Sequence, residues 1–305
     1  MMKPVAWAVI FIRSHALIHR QFQTFLKEIN AEYSDLPYHT AVRWLSCGKV
    51  LLRFYNLRKE INLFLMDKNK ADPILSNPVW VSKLSFLVDI ASHINDLNLK
   101  LQGKENLICD LYRIVNGFRR KLVLFESQLE VRNLSHFPCL KEFCAASAEE
   151  VNLEFSKKIT SDLKQNFSER FSDLDKIEDD VLLFQDPFSC NPSDMPSELQ
   201  LELIDLQANG LLKEKHREGK LVEFYRCLPN DEFLKLKKFA FGMASMFGTT
   251  YVCEQTFSKM KNVKSEHRTR LTDEHLKAIL LVQCSNTKPN IEDIMKNKEQ
   301  FHKSH

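Results

Sequence analysis

The sequence predicts a mainly α protein, and three observations carry that expectation. Seven glycines in 305 residues leave few positions for the tight turns of β-hairpins. Leu, Lys, Glu and Phe, which a helix accepts at little cost, are abundant. Apolar residues recur every three or four positions through most of the chain. With 44% hydrophobic content, a chain of this length can bury a substantial core.

Val5, Val9, Ile12, Ile18, Phe22, Phe25 and Ile29 predict a first helix from Val5 to Ile29, which Asp35-Leu-Pro-Tyr38 interrupts. Val50, Phe54, Leu57, Ile61 and Phe64 form one stripe of a second helix, from Ser46 to Met66. Asn77-Pro78 is a helix start, because asparagine can cap and proline lacks only an amide that would have no partner there. The helix after it carries Val81, Leu84, Val88, Ala91, Ile94 and Leu97; the next carries Leu107, Leu111, Ile114, Phe118, Leu122, Phe125 and Leu129. Gly103 between them predicts a long antiparallel hairpin. Phe155, Ile159, Leu163, Phe167 and Phe171 recur every fourth residue in a helix expected over Lys141–Leu174.

Three prolines between Asp186 and Pro196 remove backbone donors, so this stretch should be irregular and separate two helical blocks. Short helices are expected beyond it at Ser197–Leu206, Leu211–Tyr225, Asp231–Phe247, Thr250–Lys261 and Thr272–Gln283, ending in a polar tail that frays.

The net charge of +3 is unevenly spread. Residues 1–125 hold 18 Lys and Arg against 10 Asp and Glu, residues 126–234 hold 12 against 23, and residues 235–305 hold 13 against 7. Basic ends can attract phosphates whatever the total charge, although solvated helix faces are the simpler explanation of such charges. Eight cysteines without a Cys-x-x-Cys pair read as reduced, mostly buried thiols of an intracellular protein. Met1–Ile12 sets a lysine before an apolar run, but the run is short and no small-residue cleavage site follows. No segment approaches the roughly 20 apolar residues of a membrane span. His15 with His19, and His136 with Cys139 and Cys144, each lack the further ligands that zinc needs, so no metal is assigned. Phosphate loops, His-Glu-x-x-His and Gly-x-Ser-x-Gly motifs do not occur, and no cofactor or small-molecule substrate is expected.

Two segments carry more information than composition does. Near the C-terminus stand Tyr251-Val-Cys-Glu-Gln-Thr-Phe-Ser-Lys-Met260 and Ser265-Glu-His-Arg-Thr-Arg-Leu-Thr-Asp-Glu-His-Leu276; near the other end stands His39-Thr-Ala-Val-Arg-Trp-Leu-Ser46. Periodicity alone makes Glu254 an ordinary solvated glutamate and Trp44 a core anchor. The longer pattern resembles hAT-type DNA transposases and the transposon-derived C-terminal regions of BED zinc-finger and general transcription factor II-I-repeat proteins.

The resemblance implies the tail of an RNase H-like domain over 1–45 and a helical insertion domain over 46–185. An irregular connection with short helices would follow over 186–230, and a dimerisation region over 231–305. It makes Glu254 the match to the last metal-binding acid of the transposases. Their two other acids would lie upstream of Met1, and active relatives carry arginine at the position of Gln255, so Glu254 is expected as a relic without catalysis. Arg43 and Trp44 match a pair that helps hold DNA, the indole stacking on a base. The candidate DNA-binding residues are Arg43, Trp44, Lys49, Arg53 and Arg58, with Lys259, Lys261, Lys264, Arg268 and Arg270 as a second group. Phe239, Met243, Phe247, Phe257, Ile279 and Leu280 are the candidate dimerisation residues.

The expected function is that of a decayed or domesticated hAT transposase fragment, a nuclear module (with cytoplasmic presence left open) for protein interaction and self-association. Its partners would be a second copy or related hAT-derived proteins. A non-specific DNA-binding module and a truncated product without a selected role are the alternatives.

Overall fold

The computed structural model describes residues 2–37, 44–103, 106–148, 150–246, 251–264, 271–284 and 290; the side chains of 44–47, 251–255 and 284 lie outside the description. Arg43, Phe247, Arg268 and Arg270 therefore fall outside the described residues. Sixteen α-helices and no strand occur among the described residues. The mainly α fold is confirmed; an RNase H-like remnant is not. No described helix is long and apolar enough to cross a membrane. The chain divides into two compact units, Met1–Gly248 and Thr249–His305.

In the larger unit, α1 (Met2–Ser14) buries Val5, Ala8, Val9 and Ile12, and α2 (Ala16–Glu28) buries Phe22 and Leu26. The single helix expected over Val5–Ile29 is thus two, because His15 adopts an extended conformation. That break directs Arg13 and His19 onto one carboxylate: Asp35 accepts from Arg13 Nη1 at 2.5 Å and pairs with His19 Nε2 at 2.8 Å. Burial pushes the Asp35 carboxyl up, but the hydrogen bonds from His19, the Leu36 amide and Arg13 outweigh it and hold the group below its ordinary range.

A second break separates α3 (Trp44–Asn56) from α4 (Arg58–Asp67) where one helix was expected. Arg58 Nη1 donates to the Tyr55 carbonyl at 2.7 Å, satisfying an acceptor within the bend. Gly48 permits the close approach of α3 to the helix Pro78–Leu101, since a side chain there would strike Asn95. These helices enclose the first core with Leu75 and the start of α5 (Pro78–Leu101). Asn77 caps α5 as expected, accepting the Trp80 amide at 3.1 Å.

The hairpin forms between α5 and α6 (Ile108–Glu130), with α7 (Pro138–Ala146) and α8 (Glu154–Arg170) packed on it. Phe86, Ile90, Leu97, Phe118, Leu122 and Phe125 meet in this second core, and Phe155, Ile159, Leu163 and Phe167 pack against it. The helix expected over Lys141–Leu174 is interrupted between Ala146 and Glu154. Local hydrogen bonds compete with the helix there: Ser147 Oγ donates to the Phe143 carbonyl, and Asn152 Oδ1 accepts the Glu154 amide.

After α9 (Ser172–Asp175) comes α10 (Glu178–Gln185), a helix that the periodicity did not reveal. The proline-rich stretch holds only a 3-10 turn, Pro192–Asp194, and is otherwise irregular as expected. Next follow α11 (Ser197–Ala208), α12 (Gly210–Glu218), α13 (Leu221–Cys227) and α14 (Leu234–Ser245). Their apolar faces close a third core around Phe184, Leu203, Tyr225, Phe233 and Leu236, which Ile108, Cys109 and Tyr112 of α6 also enter. Of the described cysteines, Cys109 is buried, Cys139, Cys144 and Cys190 are half-buried and Cys227 is exposed, all as free thiols.

Two acids, Asp89 buried and Glu202 half-buried, tie helices together. Asp89 of α5, 3% exposed, accepts the amides of Cys139 and Leu140 at 3.1 and 3.0 Å. Glu202 of α11 accepts those of Lys235 and Leu236 at 3.1 and 2.9 Å. Each carboxylate completes the first turn of a helix remote in sequence.

Asp35 and Asp89 should depend on pH with opposite signs. The lowered Asp35 group contributes stability that is present above its ordinary pKa and lost as pH falls through the folded value. Asp35→Asn should therefore cost about 1 kcal/mol near neutrality, solvent screening included, and less in acid. Burial raises the Asp89 carboxyl despite its amide donors, so its contribution is complete in acid and declines as pH rises through the raised value. Asp89→Asn should cost about 1–3 kcal/mol, with a gap to wild type that narrows as pH rises. Urea unfolding of the three proteins across pH 3–8 would check both slopes.

Candidate functional site

The smaller unit contains α15 (Tyr251–Val263) and α16 (Asp273–Cys284), which pack on one another. Thr272 begins α16: its hydroxyl lies 3.4 Å from the His275 amide, and Asp273 and Glu274 occupy the favourable first turn. Lys259 Nζ donates to the Gln283 carbonyl at 2.6 Å and joins the two helices. Glu254 lies on α15, and its side chain is outside the description.

Val263, 4% exposed, is the one buried hydrophobic residue among the described side chains of this unit. Met260, Leu276, Ile279 and Leu280 are half-buried. Phe257 is 63% and Leu281 61% exposed, and Val282 also faces outward. Single exposed apolar residues are common, but here the large apolar side chains outside outnumber those inside.

The dimerisation candidates thus separate. Phe257 is open to solvent, Ile279 and Leu280 are half-buried, Phe239 packs at the edge of the third core, and Met243 is 3% exposed within it. Leu281 was not singled out from the sequence, because the continuous run Ile279–Val282 shows no preferred face. Ile204 and Leu211, on α11 and α12, are exposed as well.

The basic candidates also separate. Lys49 is exposed on α3, whereas Arg53 donates to the Asp35 carbonyl at 3.0 Å and lies 3.9 Å over the Tyr33 ring. Arg58 lies 4.2 Å over the Tyr55 ring. Trp44 begins α3, with its side chain outside the description. Lys261 and Lys264 are exposed.

Two of the candidate zinc-binding histidines have protein partners. His19 joins Asp35, and His136 Nδ1 pairs with Gln128 Oε1 at 2.8 Å. Burial, with Asp89 nearby, pushes the Cys139 thiol up to about 12, so it stays protonated and unreactive.

Residues 1–130 match the FAM200/GTF2IRD2 helical domain, and residues 202–284 match the hAT family C-terminal dimerisation region. The second match spans α15, α16 and the exposed apolar residues just described. Over these two regions the chain is similar to proteins derived from hAT-superfamily transposases.

Within that class it is similar to two relatives named general transcription factor II-I repeat domain-containing protein 2. The one from Bos taurus is 39% identical over 279 residues, 92% of this chain and 29% of the relative. The one from Mus musculus is 38% identical over 265 residues, 87% of this chain and 28% of the relative. The chain therefore spans less than a third of the length of these curated relatives. No solved structure matches.

The packing of the basic residues sets an expectation for stability. Arg53→Ala and Arg58→Ala should each lower stability by about 1 kcal/mol through loss of a hydrogen bond and a cation–π contact. Lys49→Ala should leave the melting temperature unchanged. Thermal denaturation of the three variants would distinguish structural arginines from a free lysine.

Proposed function

We propose that this chain is a non-catalytic, nuclear self-association module descended from a hAT transposase, and that its smaller unit pairs two copies. The observation that carries the reading is the apolar exterior of α15 and α16, where Phe257 and Leu281 are open to solvent inside the matched dimerisation region. A unit that buries so little of its own apolar surface gains by covering it with a like surface, and a two-fold contact uses the same patch on both partners. The nuclear assignment is supported by the transcription-factor name of the relatives.

The non-catalytic part rests on chemistry. Metal-dependent strand cleavage needs several carboxylates to clamp paired ions, and the resemblance assigns such a role to Glu254 alone among the residues of this sequence. Gln255 beside it supplies no charge where active relatives carry a cation.

Light scattering at micromolar concentration should give the mass of a dimer for the intact chain. Phe257→Glu with Leu281→Glu should give a monomer whose larger unit melts as in wild type, because both side chains are exposed and belong to the smaller unit. A monomeric wild type would overturn the proposal. Point substitutions are preferable to removing residues beyond Asn230, since that cut deletes Phe233, Leu236 and Met243 from the third core.

With Mg²⁺ or Mn²⁺, the purified chain should leave transposon-end DNA intact, and Glu254→Ala should behave as wild type. Metal-dependent nicking that this substitution abolishes would disprove the absence of catalysis.

A further inference from the structure

A cavity of about 830 Å³ lies among the start of α5, the end of α7 and the start of α8. Its volume falls within the roughly 300–1,000 Å³ of small-molecule sites. Val79, Val81, Phe143, Val151 and Phe155 give it apolar walls. Most of the polar groups that line it are already engaged. Ser76 Oγ accepts from Asn62 Nδ2 at 2.9 Å, Ser147 Oγ donates to the Phe143 carbonyl at 2.8 Å, and Asn152 Oδ1 accepts the Glu154 amide at 2.8 Å. Glu150 pairs with Arg132 at 2.9 Å, and Glu154 lies 3.7 Å from Lys157.

Ser82 and Lys83 are the exceptions. Ser82 is 8% exposed, and its hydroxyl has no hydrogen-bond partner among the described residues although it lines the cavity. A nearly buried hydroxyl without a partner is unfavourable, and an acceptor placed in the cavity would remedy that. Lys83 has no ion-pair partner among the described residues; its Nζ lies 5.4 Å over the Phe155 ring, which steadies the ammonium without neutralising it. Ser82 and Lys83 follow Val79 by three and four positions, so the three share one face of α5. A hydroxyl and an ammonium thus stand together at one wall of an apolar space.

We propose that this cavity binds a small carboxylic acid with an apolar body. Lys83, the one cation among the lining residues, balances the carboxylate, Ser82 donates to one of its oxygens, and Val79, Phe143, Val151 and Phe155 cover the hydrocarbon. An extended peptide is a poorer fit, because it brings an amide and a carbonyl at every residue and the lining offers few free polar groups. An aliphatic acid brings one polar end. The cavity shares no residue with α15 or α16, so this assignment and the self-association surface can fail independently.

The test uses the intact chain and isothermal titration calorimetry with octanoate and with octanol, which share a hydrocarbon and differ in charge. Octanoate should bind about tenfold more tightly than octanol. Lys83→Met, which keeps the length of the side chain, should erase that preference, while Lys121→Met on α6 should retain it. Ser82→Ala should weaken octanoate binding by about threefold to tenfold through loss of one hydrogen bond. Val79 is 63% exposed, so Val79→Glu should fold as wild type does and repel octanoate, whereas Val79→Gln, of the same shape without the charge, should not. Val79→Glu carries the test if Lys83→Met fails to fold. Absence of saturable octanoate binding up to about 1 mM would overturn the proposal. So would a preference for octanoate that survives both Lys83→Met and Val79→Glu, which would place the acid elsewhere on the chain. Displacement of octanoate by an equal concentration of an uncharged apolar peptide would overturn it as well, by assigning the cavity to a protein segment.

Discussion

The carboxylate of Asp89 joins parts of the larger unit that no continuous helix connects. It lies on α5 between Val88, which faces the first core, and Ile90, which faces the second. Both oxygens accept amides from the first turn of α7, and the Cys139 carbonyl in that turn accepts the Tyr55 hydroxyl of α3 at 3.0 Å. Three helices therefore meet through one acid, one backbone turn and one phenol. Burial pushes the Tyr55 hydroxyl up to about 12, so it remains a donor throughout the physiological range. A buried charge is tolerated because it fills donors that would otherwise be unsatisfied, and the same geometry fixes how α7 approaches α5.

Two helices serve more than one core, and this constrains their sequence. One side of α5 packs with α1–α4 and the other with α6–α8, while the first turn of α6 reaches the third core. Neither helix can keep a single apolar stripe. The third core uses the same kinds of tie as the others: Glu202 completes the start of α14, and the Tyr225 hydroxyl donates to the Phe184 carbonyl at 3.0 Å near the end of α10. Short helices such as α10 and α13 have little intrinsic stability, so these contacts and the burial of Phe184 and Phe224 hold them in place.

Local patterns made much of this fold legible and left its joints hidden. Asn77-Pro78 marked a helix start through its own capping chemistry, and the α5–α6 hairpin followed from two long apolar stripes. The breaks at His15 and Leu57 were invisible because apolar spacing continues across them. At His15 the contacts are tertiary, Asp35 engaging Arg13 and His19, while at Leu57 the Arg58 side chain turns back to the Tyr55 carbonyl three residues before it. The sites divide in the same way. A motif pointed to the region of α15, but the outward positions of Phe257 and Leu281 emerge only when two helices are placed together. Arg53 and Arg58 read as free cations because a sequence does not show which carbonyl or ring will engage them.

The smaller unit sets a different physical problem. α15 and α16 have 13 and 12 residues, near or below the length at which isolated helices are marginal in water. Their mutual packing buries Val263 and half-buries Met260, Leu276, Ile279 and Leu280, a small apolar area against the conformational entropy of ordering two helices. The Lys259–Gln283 hydrogen bond and the Thr272 cap add about 1 kcal/mol each. Those terms favour a defined helix pair without making it independently robust, so a partner that covers Phe257 and Leu281 would contribute to folding as well as to association. Under the proposed self-association, Phe257 and Leu281 are the unsatisfied half of a core, and the order of the smaller unit is coupled to the concentration of the chain.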